Sequence, residues 1–577
     1  MNAVGGAREQ GKGHHPSFRW LSGHVATIVL AISIFSSGAV GLVNEYILST
    51  VSSYILGNSI EQFSVIIGIM FLMFGAGSLV QIRLKETNLI AKFVIIEVLI
   101  AVVSAFAPVS IYGVFAFAED FLYIVLYGSA MTLAFLIGFE VPVVLRINRR
   151  FASELKTNIA GIIAFEYFGG FVGMWVWVDY LKGTFPLTEV SFIVAGANFA
   201  AMALAFAHFF WKGFVRHGWV LTGALVLAAS SLVWGYANNR DWTIVMEQQL
   251  FEDQVIYVEN TRYQHLVITH NNAVDDTRLY INGNVQFSSL DEKIYHENLV
   301  HPVMTLVPDH ARVLILGGGD GLALREVEKY NDVKSITLVD LDPRMIEIAS
   351  TLPIMVKLNE GSLLDARVST KISSAIKHDG VKPVYIGTGK QDAQGDPGVK
   401  WVGTLDVVTI DAELFIREIP KSYNVIILDF PDPNSVELSK LYSKEFYAQV
   451  ARKLSERGMI AIQASSPYYA KETYLTIIRT LQAAGLNTLP YHENVPSFGD
   501  WGWILAWKSG EPVAHLNERI DAIKAFSVAT KHLTPDLFRA NRVFGKGLLK
   551  SDSTAINTLL EPTLYEVYLR EGWAIDQ

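Results

Sequence analysis

Val313-Leu314-Ile315-Leu316-Gly317-Gly318-Gly319-Asp320-Gly321 decides the fold. It reads as a buried strand that ends in a glycine-rich turn, and Leu322 to Tyr330 reads as the helix that follows. Glycines turn the backbone sharply and let a ligand come close, and a helix start leaves free N–H groups there. This strand–turn–helix pattern suggests a nucleotide-type ligand. Asp320 narrows the chemistry. A carboxylate in the cradle repels phosphate and suits a cation, such as an adenosyl sulfonium compound or a polyamine.

The next strand, Ile336-Thr337-Leu338-Val339-Asp340, also ends in an acid. Asp340 follows the turn by about 20 residues, the spacing at which a carboxylate grips both ribose hydroxyls of an adenosine. A glycine-rich turn alone often serves only packing. Asp320 and Asp340 together are what favour a ligand.

The rest of the chain divides in two. Hydrophobic residues make up 51% and charged residues 18% of the 577, and the apolar excess is concentrated in residues 1–240. Stretches near 24–46, 63–81, 89–109, 121–145, 158–179, 187–211 and 219–236 are each long enough to span a bilayer. The first is too long for a typical cleaved signal and is expected to be a retained membrane helix. Residues 1–20 form a polar tail. The charge balance is +2 in residues 1–240 and −11 in the remainder. An acidic soluble half suits a cationic substrate and argues against nucleic acid. There is no cysteine, which excludes disulfides, thiol nucleophiles and thiolate metal sites.

The basic loops hold Arg83, Lys85 and Lys92; Arg146, Arg149, Arg150 and Lys156; and Lys212 and Arg216. The intervening loops hold Glu61 and Glu119-Asp120. The positive-inside rule puts the N-terminus and the basic loops in the cytoplasm. Seven spans would then put the soluble half outside, although adenosyl substrates are cytoplasmic. Glu45, Glu97, Glu140 and Glu166 fall within or near apolar spans, where acids are costly and often mark a cation or proton path. Span-end placement or pairing with polar groups of the bundle is the plainer reading of these four.

Gln254–Val258, His265–Thr269 and Arg278–Ile281 read as short strands, with Asn282-Gly283 as a hairpin turn. These strands make residues 241–300 a small β subdomain. Residues 301–515 alternate strand and helix patterns, which argues for a parallel sheet with crossover helices. A glycine-rich polar insertion interrupts them at about 369–405, and residues 516–577 are expected to be a helical extension.

Several ordered motifs over about residues 250–510 resemble the polyamine aminopropyltransferases, the spermidine synthases. Gly317 to Glu326 resembles their glycine-rich signature. Tyr263-Gln264 resembles a pair in their β subdomain, and Asp291-Glu292-Lys293-Ile294-Tyr295-His296-Glu297 their next segment. Asp340-Leu341-Asp342, Ile410-Asp411-Ala412, Asp429-Phe430-Pro431-Asp432-Pro433 and Leu441-Tyr442-Ser443 with Phe446-Tyr447 follow in the family's order. Ser37-Gly38 through Asn44-Glu45, and Glu166 through Gly173, resemble the multi-span domain fused to such synthases in one bacterial subgroup.

The resemblance implies a multi-span α-helical membrane bundle, then a Rossmann-like, methyltransferase-type α/β domain with a small N-terminal β subdomain. It implies transfer of the aminopropyl group of decarboxylated S-adenosylmethionine to putrescine, giving spermidine and methylthioadenosine. No metal or permanent cofactor is implied. Asp429 would be the base, and Asp432 would hold the diamine's distal charge or shape the loop. Asp320 would anchor the donor's ammonium. Gly317 and Gly319 would form the cradle. Gln264 and Asp340 would grip the ribose and methylthio region. Asp411, with Ala412 beside it, would receive the adenine. Tyr295 and His296 would line the amine channel.

Asp411 reads equally as a helix cap. Asn434, Ser435 and Val436 stand where the family has Gly-Pro, and Phe498 falls near its late amine-channel tyrosine. Phe498 cannot donate a hydrogen bond, so the acceptor could instead be agmatine, cadaverine or spermidine. The competing readings are an S-adenosylmethionine methyltransferase, and a polyamine sensor or transporter with a ligand-binding synthase-like domain. Other expectations are a bacterial inner-membrane location, a cytoplasmic catalytic domain on substrate grounds, and a homodimer formed through the β subdomain as in soluble relatives.

Overall fold

The structure is a computed structural model and describes residues 16–56, 59–151, 155–182, 184–215, 218–364, 404–420, 422–508 and 510–571. The chain divides into two units between Gln254 and Val255. The expected insertion at 369–405 lies almost wholly outside the described residues.

The first unit contains α1 (Pro16–Leu56), α2 (Ser59–Val80), α3 (Leu89–Phe117), α4 (Leu122–Asn148), α5 (Leu155–Val176), α6 (Leu187–Trp211) and α7 (Gly218–Gln249). All seven are long and apolar enough to cross a membrane. Several exceed their expected lengths, α1 and α7 by the most. α1 begins at Pro16 inside the expected polar tail, and α7 runs past residue 240. Polar residues at either end of an apolar run can continue its helix. α1 and α5 meet backbone to backbone. A Cβ on Gly38 would stand 2.2 Å from the Glu166 carbonyl oxygen, and one on Gly169 would stand 2.0 Å from that of Phe35. Small residues permit such close crossings between membrane helices.

The second unit opens with a four-stranded sheet, β1 (Gln254–Asn260), β2 (His265–Asn271), β3 (Asp276–Ile281) and β4 (Asn284–Ser288), in that spatial order. Asn282 (φ 50°) and Gly283 (φ 82°) form the β3–β4 turn, as the Asn-Gly signal requires. β4 was not among the expected strands.

α8 (Glu292–Leu306) leads into β5 (Arg312–Gly317), α9 (Leu322–Glu328), β6 (Ser335–Asp340) and α10 (Pro343–Thr351). β7 (Thr404–Thr409), β8 (Tyr423–Asp429), β9 (Leu454–Gln463), β10 (Asn487–Val495) and β11 (Gly499–Trp507) complete a seven-stranded sheet, ordered β10-β11-β9-β8-β5-β6-β7. β5 to β9 pair in parallel, while β10 and β11 are antiparallel. Val313 to Leu316 are fully buried at the centre, as a strand covered on both faces must be.

Beyond residue 515 the extension is only partly helical. The helix Val513–Asp521 runs into it, and Pro535–Ala540 and Thr563–Glu571 are short helices with irregular chain between them. Tertiary bonds hold this segment where local propensity does not. The buried Glu297 carboxylate, for example, accepts the N–H groups of Lys531, His532 and Leu533.

Candidate active site

The parallel strands end together, and their register sets the site. Gly317 ends β5 opposite Asp429, the last residue of β8. Ligands bind at such carboxyl ends. Gly317 has φ 84°, and a Cβ there would stand 2.1 Å from the Asp429 carbonyl oxygen, so this crossing requires glycine. A Cβ on Gly319 would stand 2.6 Å from Asp340 Oδ2. Instead the Gly319 N–H donates to that oxygen at 3.0 Å. Asp340 Oδ1 accepts the Asp342 N–H at 2.9 Å, which fixes the carboxylate at the end of β6. Burial, with Asp342 and Asp320 nearby, raises Asp340 to about 6.

Asp320 is half-buried in the turn and accepts the Leu322 N–H at 2.9 Å. Burial raises its pKa, as does Glu292. Asp429 is half-buried and accepts the Tyr295 hydroxyl at 2.7 Å. Burial and the charge of Asp320 push Asp429 up to about 6, against the opposing pull of His296 and Tyr295. Asp432 is raised to about 6 by burial and accepts the Ser465 hydroxyl at 3.0 Å. The turn and the loop after β8 thus gather three acids at one end of the sheet.

Tyr295 and His296 face this group from α8. Tyr295 lies with its ring among Phe498, Trp501 and Trp503, with centroids 6.0, 6.4 and 5.7 Å away. His296 is buried, and its Nδ1 meets the Glu292 carbonyl at 2.7 Å and carboxylate at 3.1 Å. Burial opposes its charge, but Glu292, Asp320 and Asp429 raise its pKa overall. Arg325 clamps Glu292 through two bonds of 3.0 and 2.8 Å. Burial would raise Glu292, yet His296 and Arg325 hold it near 2.

Gln264 hydrogen-bonds the Asp342 side chain, and Thr261 donates to Asp342 at 2.6 Å. The β1–β2 turn is therefore tied to the end of β6. Asp411 caps the helix Ala412–Glu418 by accepting from Glu413 and Leu414, and it receives Lys440 Nζ at 2.7 Å. The cap reading of Asp411 describes its local structure, and Ala412 is buried behind it.

Sequence reasoning missed Thr261, Lys440, Gln463 and Ser465. Gln463 and Ser465 lie at the end of β9, and that position was the available signal. Gln463 donates to the Phe430 carbonyl and the Tyr442 hydroxyl, both at 2.6 Å. Ser465 has φ 64°, strained backbone for a serine, beside Asp432. Glu297, His301 and Glu326 bring ligand-type atoms within 4.8 Å of one another. Protein groups already hold both carboxylates there, with Arg325 and Lys329 on Glu326.

A doubly wound sheet with a glycine turn lined by acids suits a ligand that carries positive charge. Residues 292–380 and 403–518 match the spermine/spermidine synthase domain. The chain is 34% identical to the polyamine aminopropyltransferase of Oceanobacillus iheyensis, over 94% of this chain and 97% of that one. It is 33% identical to polyamine aminopropyltransferase 1 of Streptomyces coelicolor, over 95% of each. It is also similar to the crystal structure of a spermidine synthase in complex with the transition-state analogue AdoDATO. That likeness has 23% identity and a TM-score of 0.41, and covers 51% of this chain and 88% of the other. The chain belongs to the spermine/spermidine synthase family and is an aminopropyltransferase.

Proposed function

We propose that the enzyme transfers the aminopropyl group of decarboxylated S-adenosylmethionine to putrescine, with Asp429 as the base. The observation that carries this reading is the grouping of Asp320, Asp429 and Asp432, with the Tyr295 hydroxyl on Asp429. These carboxyls suit a sulfonium substrate and a diammonium one better than any neutral pair.

In this reading Asp340 and Gln264 hold the ribose side of the donor, and Gly317 and Gly319 let it approach the backbone. Asp411 and Ala412 face the adenine, with Lys440 Nζ 2.7 Å from the Asp411 carboxylate. Asp320 binds the donor's ammonium. The diamine lies along Tyr295 and His296 with its far ammonium toward Asp432. Asp429 takes a proton from the near ammonium. The freed nitrogen lone pair attacks the methylene bonded to sulfur. The C–S bond breaks, its electrons stay on sulfur, and methylthioadenosine leaves. The sulfonium supplies the activation, so the protein contributes alignment and proton removal.

The acceptor is tested by comparing kcat/KM for putrescine, cadaverine, agmatine and spermidine in the wild type and Phe498→Tyr. Putrescine is expected to lead. A clear preference for a longer amine would overturn that choice and leave the transfer chemistry standing.

The seven long helices support a multi-pass membrane protein, and its bacterial relatives favour the inner membrane of a bacterium. Donor chemistry favours a cytoplasmic catalytic unit, while the basic loops with seven crossings favour the opposite side. A reporter fused after Gln577 decides between them. A homodimer is proposed on the precedent of soluble relatives, and light scattering in detergent reads it.

A further inference from the structure

The helical unit contains a polar centre that aminopropyl transfer does not use. Glu97 of α3 and Glu140 of α4 are fully buried among apolar helices. Their carboxyls lie within hydrogen-bonding reach of each other, a contact that two carboxyl groups make only with a proton between them. Ser37 of α1 donates to Glu140, and the Asn198 amide of α6 donates to Glu97 at 2.7 Å. Glu166 of α5 is near enough to act on Glu140 electrostatically. Among the described residues, no lysine, arginine or histidine forms an ion pair with either acid. Acids held this way inside a membrane-type bundle are costly without a cation to meet them.

The unused atoms at this centre are oxygens. Apart from their shared proton, Glu97 Oε1 and Glu140 Oε1 have no partner, and Asn198 Oδ1 has none although the residue is 1% exposed. Two turns along α1, about 10 Å away, Asn44 donates to Ser104 at 2.6 Å and leaves its own Oδ1 open. Further along, Ser52 donates to Gln62 at 2.7 Å. These buried polar groups form a file from the carboxyl pair along α1. A purely structural pair would close its own hydrogen bonds, whereas this one leaves acceptors with no donor.

We infer that the Glu97–Glu140 pair binds an alkylammonium group, which displaces the shared proton. The balance is simple. A site with one proton and charge −1 takes R–NH3+, becomes two carboxylates around one cation, and releases one H+ to water. Three N–H donors match the open oxygens of Glu97, Glu140 and Asn198. The choice of a polyamine as the amine rests on the transfer reading above. An alkali ion would use the same oxygens without supplying any donor.

The test is equilibrium binding of radiolabelled spermidine to the full-length chain in detergent, with methylthioadenosine present and a pH dye in weak buffer. The wild type is expected to bind two equivalents per chain and to release a proton with one of them. Glu97→Gln with Glu140→Gln should lose that equivalent and the proton, with aminopropyl transfer unchanged. Asn198→Ala, a milder change, should weaken the same equivalent by about tenfold or more, as loss of one bond to a charged group does. Equal stoichiometry in wild type and the double variant would overturn the inference. Displacement by sodium or potassium, but not by putrescine, would also overturn it in favour of an alkali-ion site. Failure of the transfer assay with the second equivalent intact would count against the catalytic reading alone.

Discussion

Replacing Tyr295 with Phe removes one hydroxyl and little else. The ring keeps its contacts with Phe498 and Trp503, while Asp429 loses the donor that sits 2.7 Å from its Oδ1. That bond favours the charged form of Asp429, which burial and Asp320 already push up to about 6. A hydrogen bond to a charged group contributes about 1.5 kcal/mol at the low end, or roughly one pH unit. The acidic limb of kcat/KM, which reports the free enzyme, should therefore move from about 6 in the wild type to roughly 7 in Tyr295→Phe. Activity at pH 6 should fall about fivefold, while at pH 8.5, where the base is ionised in both, the two enzymes should nearly agree. The assay is initial-rate kinetics across pH 5.5 to 9, with both substrates varied. A uniform drop at every pH, with the limb unmoved, would refute the claim that Tyr295 tunes the base.

Gly319→Ala drives a methyl into Asp340 Oδ2 and should weaken methylthioadenosine binding by on the order of tenfold, measured by calorimetry. Arg325→Met strands a buried Glu292 and should cost roughly 3–5 kcal/mol, read as a marked fall in melting temperature. Glu292 is held near 2, below its ordinary value of 4.5, so its contribution is present above about 4.5 and lost as pH falls toward 2. Asp429 has the opposite sign. Its folded value near 6 exceeds the ordinary 3.8, so ionising it destabilises the ligand-free protein as pH rises through that window. Asp429→Asn should therefore raise the melting temperature at pH 8 while abolishing turnover, with the stability difference vanishing below pH 4.

The residues whose place in the fold could be read from the sequence are those at a strand end. Asp320, Asp340 and Asp429 each sit where an apolar run stops, and the sheet brings those stops together. The apolar spans were legible for a similar reason, since length and composition alone identify them. The particular bonds that join distant segments were not legible. Tyr295 reaches Asp429 across 134 positions, Thr261 reaches Asp342 across 81, and Ser465 reaches Asp432 from a left-handed backbone that nothing in its neighbours signals. The irregular stretches between the helices of the extension were not legible for the same reason. Residues 531–533, for example, are held by the carboxylate of Glu297, more than 230 positions upstream. Asp411 shows the reverse case, where one short motif reads either as a cap or as a ligand contact, and the cap is what the structure displays.

Product analysis by mass spectrometry tests the central claim most directly. Detergent-purified protein is incubated with decarboxylated S-adenosylmethionine and putrescine, beside Asp429→Asn. Spermidine and methylthioadenosine in equal amounts from the wild type, with neither from the variant, is the expected result. Undiminished product from Asp429→Asn would contradict its role as the base, and no product from the wild type with any diamine would contradict the transfer itself.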